Sequence, residues 1–365
     1  MNKLKFKEKM NVDLLMYLAI IVISVIVLVF LDMNKFEYNY AISIIEKSLV
    51  YAVVALSMNI VTGFTGLFSL GQAGFMALGA YTTAILTIPA ASRPNVYYMN
   101  GILPALENLV VPIPVALILG GVVAAVFAAL IGIPVLKLKS DYLAIATLGF
   151  SEIIRAVIAS PMMDKITNGS YGLKSIPGFK SSLECFVFSL ICIVLMILII
   201  NSSTGRDFKA IREDEIAARS VGINIFKTKE LSFVVSSFFT GIGGGLLAMF
   251  MRSIDSKTFQ ITLTYDILLI VVLGGIGSIT GSIVGAFFVT AGKEILRFFD
   301  EPLAIAGMEI PLFKPGFRMV IFSILLMVVV LFFRKGLLGG RELSINGLRK
   351  YSRRKQNENI DEGGI

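Results

Sequence analysis

Ten apolar runs, most of them near 20 residues and almost free of charge, constrain this chain more than any single motif. They lie near 13–30, 42–60, 66–88, 112–135, 141–160, 183–200, 231–251, 265–276, 281–299 and 316–333. Crossing a bilayer core takes roughly 20 apolar residues in a helix. A backbone in hydrocarbon must satisfy its own hydrogen bonds, so each run reads as a helix. Alternation at period two is absent, which excludes a barrel. The charged fraction is 16%, against about 25% in soluble domains, and 56% of residues are hydrophobic. The expected fold is therefore all-α, a polytopic helical membrane protein of about ten transmembrane or re-entrant helices.

The net charge of +8 does not point to nucleic acid, because Lys and Arg gather at segment ends. Starting from a basic N-terminus inside and crossing once per run, the inner side receives 136–140, 201–230 and the C-terminal tail. Those segments and the N-terminus hold 20 of the 33 Lys and Arg, as the positive-inside rule requires. Both termini are thus expected in the cytoplasm. Lys3, Lys5, Lys7 and Lys9 precede the first run, which lacks a small-residue cleavage site and reads as an uncleaved helix. The chain divides into a transmembrane region over 1–340 and a basic cytoplasmic tail over 341–365, expected to be disordered.

Chemistry of its own is hard to find in this chain. There are no histidines, which removes the commonest metal ligand and general base. Cys185 and Cys192 are seven positions apart, about 10 Å along a helix, too far for a disulfide. No catalytic residue and no metal site is expected.

Counting crossings requires a turn inside 265–299. If that stretch were one helix, the basic tail would end outside. Its centre carries Gly274, Gly275, Gly277 and Gly281, and glycine both weakens helices and permits tight turns. The first arm, near 12 residues, reads as a full span or a re-entrant half-helix. The rival is a glycine-rich packing face between full helices. A similar break lies at Thr62–Gly74, where Gly66-x-x-Ser69 echoes Gly275-x-x-Ser278. Paired breaks in two halves are what a transporter built from repeats would show. Asn59, Thr62, Ser69 and Gln72 cluster there as candidates to line a polar passage, or to make buried interhelical hydrogen bonds. Glu152 and Arg155, at i and i+3 within a membrane run, form either a structural ion pair or part of that path.

The only charged interior block, Asn201–Glu230, must lie in water. Asp214 suits the cap of a helix starting at Glu215, and acidic residues suit its N-terminal end. Arg219 stands four residues after Glu215 and is expected to form a favourable i,i+4 ion pair with it, and Gly222 fits a left-handed stop. Ala217, Ala218 and Val221 would form a small apolar face able to dock into a groove of another protein.

Glu215, Ala217, Ala218 and Gly222 resemble the signature of the coupling helix in bacterial ABC importer permeases, with Ile216 inserted after the glutamate. More of the chain resembles the LivM-type branched-chain amino acid permeases. Ala55–Gly66, Ser69–Ala73 and Gly79–Thr82 resemble one signature and Asp141–Arg155 a second. Thr167-Asn168-Gly169, Tyr171-Gly172-Leu173, Gly274–Gly281 and Arg334–Leu337 follow in the family's order. Two positions depart from the pattern: Gln72 stands where the family has His, and Lys335 where it has Pro.

The resemblance implies a type II ABC importer permease in a bacterial inner membrane, moving branched-chain or related amino acids inward. It implies two cytoplasmic ATPase subunits docking on 201–230, a second LivH-type permease and an extracytoplasmic solute-binding protein. Related permeases make urea or short amides the nearest alternative, and an ion-coupled secondary transporter is a more distant one. No Gly-x-x-x-x-Gly-Lys-Ser/Thr occurs in the sequence, so ATP and Mg would be used by partner subunits and no cofactor is expected here.

Overall fold

Each expected run between residues 42 and 299 becomes a helix whose ends fall where punctuating residues interrupt the apolar sequence. A computed structural model describes residues 19–99, 101–138, 140–296, 304–305, 308–309, 320–324 and 327. The helices are α1 (Ala19–Met33), α2 (Lys35–Asn59), α3 (Gln72–Thr87), the short α4 (Arg93–Val96) and α5 (Ile113–Val135). Next come α6 (Ser140–Ile158), the short α7 (Asp164–Thr167), α8 (Ser182–Asn201), α9 (Ser203–Glu213) and α10 (Glu215–Ser220). The series ends with α11 (Ile225–Met251), α12 (Ile261–Gly274) and α13 (Ile279–Ile295). Strand-type pairing among the described residues is confined to Ala304–Ile305 with Met308–Glu309 and an isolated Leu173–Ile254 bridge. The basic residues 1–18, the Arg334–Leu337 motif and the 341–365 tail lie outside the described residues.

The chain forms two compact units, residues 43–340 and residues 1–42 with 341–365. In the second, α1 and the start of α2 are described, with an Asp32–Lys35 ion pair at 3.5 Å. The α2 helix continues into the larger unit, where everything below takes place.

Among the described residues, four helices are long and apolar enough to cross a membrane unaided: Lys35–Phe64, Ile113–Val135, Ser182–Asn201 and Ile225–Met251. Two bent pairs raise this to six: α3 with Ala90–Val96 at 100°, and α6 with Pro161–Thr167 at 58°. At 14 residues α12 is about 21 Å long, short of a core of roughly 30 Å. It ends at Gly274 and the chain doubles back. A Cβ at Gly281 would overlap the Gly274 carbonyl, and one at Gly285 would lie 2.7 Å from the Ile270 carbonyl. Lys293 closes the same hairpin on Asp266 at 2.6 Å. Joined by that turn, α12 and α13 run antiparallel.

The core is a glycine seam. From Phe239 to Met249 every residue of α11 is buried, as befits a helix apolar on all sides. Gly241 and Gly244 come against backbone of neighbouring helices, whereas Gly243 and Gly245 come against the side chains of Val54, Thr83 and Leu117. A Cβ on Gly79 of α3 would overlap Gly241, and one on Gly244 would overlap the Met76 carbonyl. On α5, a Cβ at Gly120 would stand 2.8 Å from the Gly79 carbonyl, and one at Gly121 2.9 Å from the Phe238 carbonyl. Lipid tails are as apolar as side chains, so helices in a bilayer gain most by close van der Waals approach. The seam holds α3, α5 and α11 at that distance.

Gly241→Leu should therefore lower the thermal midpoint of the purified protein in detergent, at a cost of about 1–3 kcal/mol or more from overpacking. Gly149→Leu is the control, because a Cβ there meets nothing within 4 Å. Equal midpoints for the two variants would contradict the seam.

Candidate functional site

The charged block folds into two helices, not one. Ser202 caps α9, its hydroxyl accepting from the Gly205 amide at 3.4 Å. Asp214 then ends α9 and caps α10, its Oδ1 accepting from the amides of Ile216 (2.7 Å) and Ala217 (3.0 Å). Gly222 supplies the stop with φ +89, its amide donating to the Arg219 carbonyl at 3.0 Å. Side chains at positive φ are strained, which explains glycine at this position.

Two expectations for α10 need correction. Glu215 pairs with Lys229 on α11, not with Arg219. With six residues α10 makes less than two turns, and it folds back so that Lys229 outcompetes the local i+4 partner. The small apolar face is also divided. Ala218 is buried against Ile211 and Ile225 and anchors the helix. Ile216 (80% exposed) and Val221 (77%), with Ala217 and Arg219, are what α10 presents outward. A cavity of about 570 Å³ opens beneath it, lined by Gly66, Leu67, Glu215, Arg219 and Lys229 among others.

The two glycine breaks, more than 200 residues apart in sequence, meet in space. After Asn59 the α2 helix loosens into a π-turn, Ile60–Phe64, and the chain then runs without helix to Gly71. Asn59 spans the junction with all of its amide. Its Nδ2 donates to the Ser278 carbonyl (2.9 Å) and to Ser282 Oγ (2.7 Å), while its Oδ1 accepts from the Gly277 amide at 2.8 Å. A Cβ on Gly63 would overlap Asn59 and stand 2.5 Å from the Gly277 nitrogen. In the second break Gly275 (φ +120) and Gly277 (φ +80) make the turn, and Ser278 caps α13 through the Gly281 amide at 3.0 Å.

Other side chains satisfy the opened backbone of the first break. The Leu70 amide donates to Thr147 Oγ1 on α6 (3.0 Å), and the Ala73 amide to Thr264 Oγ1 on α12 (3.1 Å). Gln72 Oε1 accepts from Thr240 Oγ1 at 2.6 Å, and its Nε2 lies 3.5 Å from Ser236 Oγ on α11. Of the residues considered for a passage, Asn59, Ser69 and Gln72 are buried within this chain, and Thr62 Oγ1 is buried without a partner. Glu152 and Arg155 lie apart from them on α6, joined to each other at 2.7 Å and each about one-third exposed.

The sequence reading did not single out α9, the helix that touches this junction. Phe208 and Ile211 bury it, and Lys209 and Arg212 reach the first break. Arg212 Nη1 donates to the Gly63 carbonyl at 2.8 Å, and Lys209 Nζ sits 5.5 Å from the Phe64 ring centroid. Two apolar residues three apart, each followed by a cation, are the pattern from which it can be found.

Two carboxylates toward the ends of α12 and α13 have cation partners. Asp266 pairs with Lys293, and Glu294 with Lys47 at 3.0 Å. Among the described residues no group of three or more His, Cys, Asp or Glu could hold a metal, and Cys185 and Cys192 are free and buried.

Residues 40–331 match the model of a family described as the branched-chain amino acid transport system permease component. The chain is 32% identical over 295 residues to the high-affinity branched-chain amino acid transport permease protein LivM of Salmonella typhimurium strain LT2. That alignment covers 72% of this chain and 64% of LivM, so the chain spans less than two thirds of that relative. It is 25% identical over 273 residues to the probable permease protein LivH of Methanocaldococcus jannaschii, 70% of this chain and 81% of LivH. To the L-arabinose transport permease protein AraH of Escherichia coli K12 it is 28% identical over 209 residues, 56% and 61% of the two chains. No solved structure matches.

Asn59→Leu strands the Gly277 amide and removes both bonds that Asn59 donates. It should cost about 1–3 kcal/mol, the range for a buried polar group left unpaired. Reversible unfolding in mixed detergent micelles measures this. A stability equal to that of the unsubstituted chain would mean that Asn59 does not hold the breaks.

Proposed function

The chain belongs to the branched-chain amino acid transport system permease family, and from that premise we propose that it is the membrane subunit of an ATP-driven ABC importer. In this reading it moves branched-chain or related amino acids into the cytoplasm of a bacterium, as a multi-pass protein of the inner membrane with both termini inside. Two ATPase subunits supply the energy, since the sequence holds no phosphate-binding loop. ATP and Mg belong to those subunits. A second, LivH-type permease and an extracytoplasmic solute-binding protein complete the assembly.

One observation carries the reading more than any other. A capped helix, α10, presents Ile216 and Val221 to the outside of the chain while Ala218 roots it in the bundle. Exposed branched side chains on a rigid, charged-rimmed helix fit a groove in a partner protein. Glu215, Ala217, Ala218, Arg219 and Gly222 are the coupling residues in this proposal. Closure of the ATPases on ATP would move α10, and the bundle would open to one side or the other.

The rivals fare less well. An ion-coupled transporter needs a carboxylate free to take up a proton or cation, and Asp266 and Glu152 are each held by a cation. Urea or a short amide remains the alternative substrate class. Names among the relatives range from branched-chain amino acids to L-arabinose, which argues that the permease scaffold carries little of the substrate code.

In proteoliposomes containing the full assembly, uptake should need ATP and survive collapse of all ion gradients. Uptake that follows a gradient without ATP would overturn the proposal. Gly222→Val should leave insertion and ATP hydrolysis intact. It should cut uptake roughly 5- to 30-fold, from about 1–2 kcal/mol of left-handed strain at the helix stop. Unchanged uptake would remove α10 from the coupling route.

A further inference from the structure

We propose that Arg212 is the positioning residue through which movement of the 201–230 loop reaches the two helix breaks. The inference rests on the transport reading above and adds the link that reading lacks, since α10 itself does not contact the breaks through any hydrogen bond among the described residues.

The geometry of Arg212 is that of a strut between two environments. On its outer side Nη2 and Nε face Glu213 Oε1 at 2.6 and 3.2 Å, and that carboxylate side chain is 73% exposed. On its inner side Nη1 donates to the Gly63 carbonyl at 2.8 Å. The last carbonyls of a helix have no partner within it, and a cation there is favoured by the helix dipole. Around this helix end the Ile60 carbonyl is taken by Thr65 and the Val61 carbonyl by Leu67, while Gly63 is served from another helix altogether.

Both breaks lie against the same guanidinium. A Cβ on Gly277 would come 2.8 Å from Arg212 Nη1, and one on Gly66 would come 3.1 Å from its Cγ. Asn59 already ties Gly277 to the first break. Displacing α9 therefore either ruptures the Arg212–Gly63 bond or carries both breaks with it. Lys209, one turn earlier, rests on the Phe64 ring and gives α9 a second point of grip. The part being moved is a π-turn, a single-turn insertion of the kind found mostly at functional sites. Phe208, fully buried, and Ile211 keep α9 from sliding free of the bundle. The exposed end of the route is equally short: Asp214 ends α9 and caps α10, so the two helices share one residue.

The test uses the whole transporter in proteoliposomes, with uptake and ATP hydrolysis measured on the same vesicles and normalised to the inserted chain. Arg212→Gln keeps an uncharged donor but shortens the side chain and loses the charge and the fork. It should raise the ATP spent per molecule imported by about fivefold or more, the low end of coupling between sites. Arg212→Lys, which restores the charge but not the two-edged fork, should recover part of that ratio. Lys209→Gln should shift it less. A ratio unchanged in Arg212→Gln overturns the proposal, whether uptake and hydrolysis both persist or both fall together as they would for a merely structural anchor. If too little Arg212→Gln inserts to be measured, Arg212→Lys decides by the same ratio. An unsubstituted assembly that does not import with ATP overturns the transport reading, and this inference with it.

Discussion

A helix that breaks inside a bilayer must find protein partners for the backbone groups it opens, and in this chain one side chain, Asn59 at the end of α2, supplies them to the second break and so ties the two breaks together. Its amide takes the Gly277 N–H and gives to Ser278 and Ser282, so the end of α2 and the start of α13 are fixed together. In the first break the Leu70 and Ala73 amides are served by Thr147 and Thr264 from α6 and α12, and the Gly63 carbonyl by Arg212. Irregular backbone at membrane depth is tolerated only when buried in protein, and here four helices supply the burial. Removing any of them would expose polar groups that hydrocarbon cannot satisfy.

That requirement accounts for the glycine seam as well. The side chains that close the breaks are short, so α3, α11 and α12 must come close to bring them into range. Gly79, Gly241 and Gly244 allow the approach, and Ser236 and Thr240 on α11 then reach Gln72 at the start of α3. The packing of the core and the stability of the breaks are one problem solved by the same helices. α9 enters from the charged block and touches the junction that this packing creates, with Arg212 bonded to the Gly63 carbonyl of the π-turn.

Much of this was readable from the chain itself, for physical reasons. The helices follow from runs of apolar residues, and the turn at Gly274–Gly281 follows from where the basic tail must end. Asp214 and Gly222 act on residues two to four away, so their roles are visible locally. What could not be read depends on contacts across long separations. Asn59 to Ser282 spans 223 residues, and nothing near either position announces the other. Glu215 reads as the partner of Arg219 because i+4 spacing is all that a sequence displays, whereas Lys229 arrives only when α10 folds back on α11. Ala218 reads as part of a docking face because it is small, and becomes an anchor because Ile211 and Ile225 close over it. Arg212 is one more charge in the block until α9 sets it against the Gly63 carbonyl.

The central claim is that energy from partner ATPases enters this subunit at α10. A photo-crosslinking side chain at Ile216, the most exposed apolar position on that helix, tests it directly in the assembled transporter. The account predicts a covalent adduct with an ATPase subunit, in a yield that changes when ATP is added. Adducts with lipid or with this chain alone, indifferent to ATP, would contradict it.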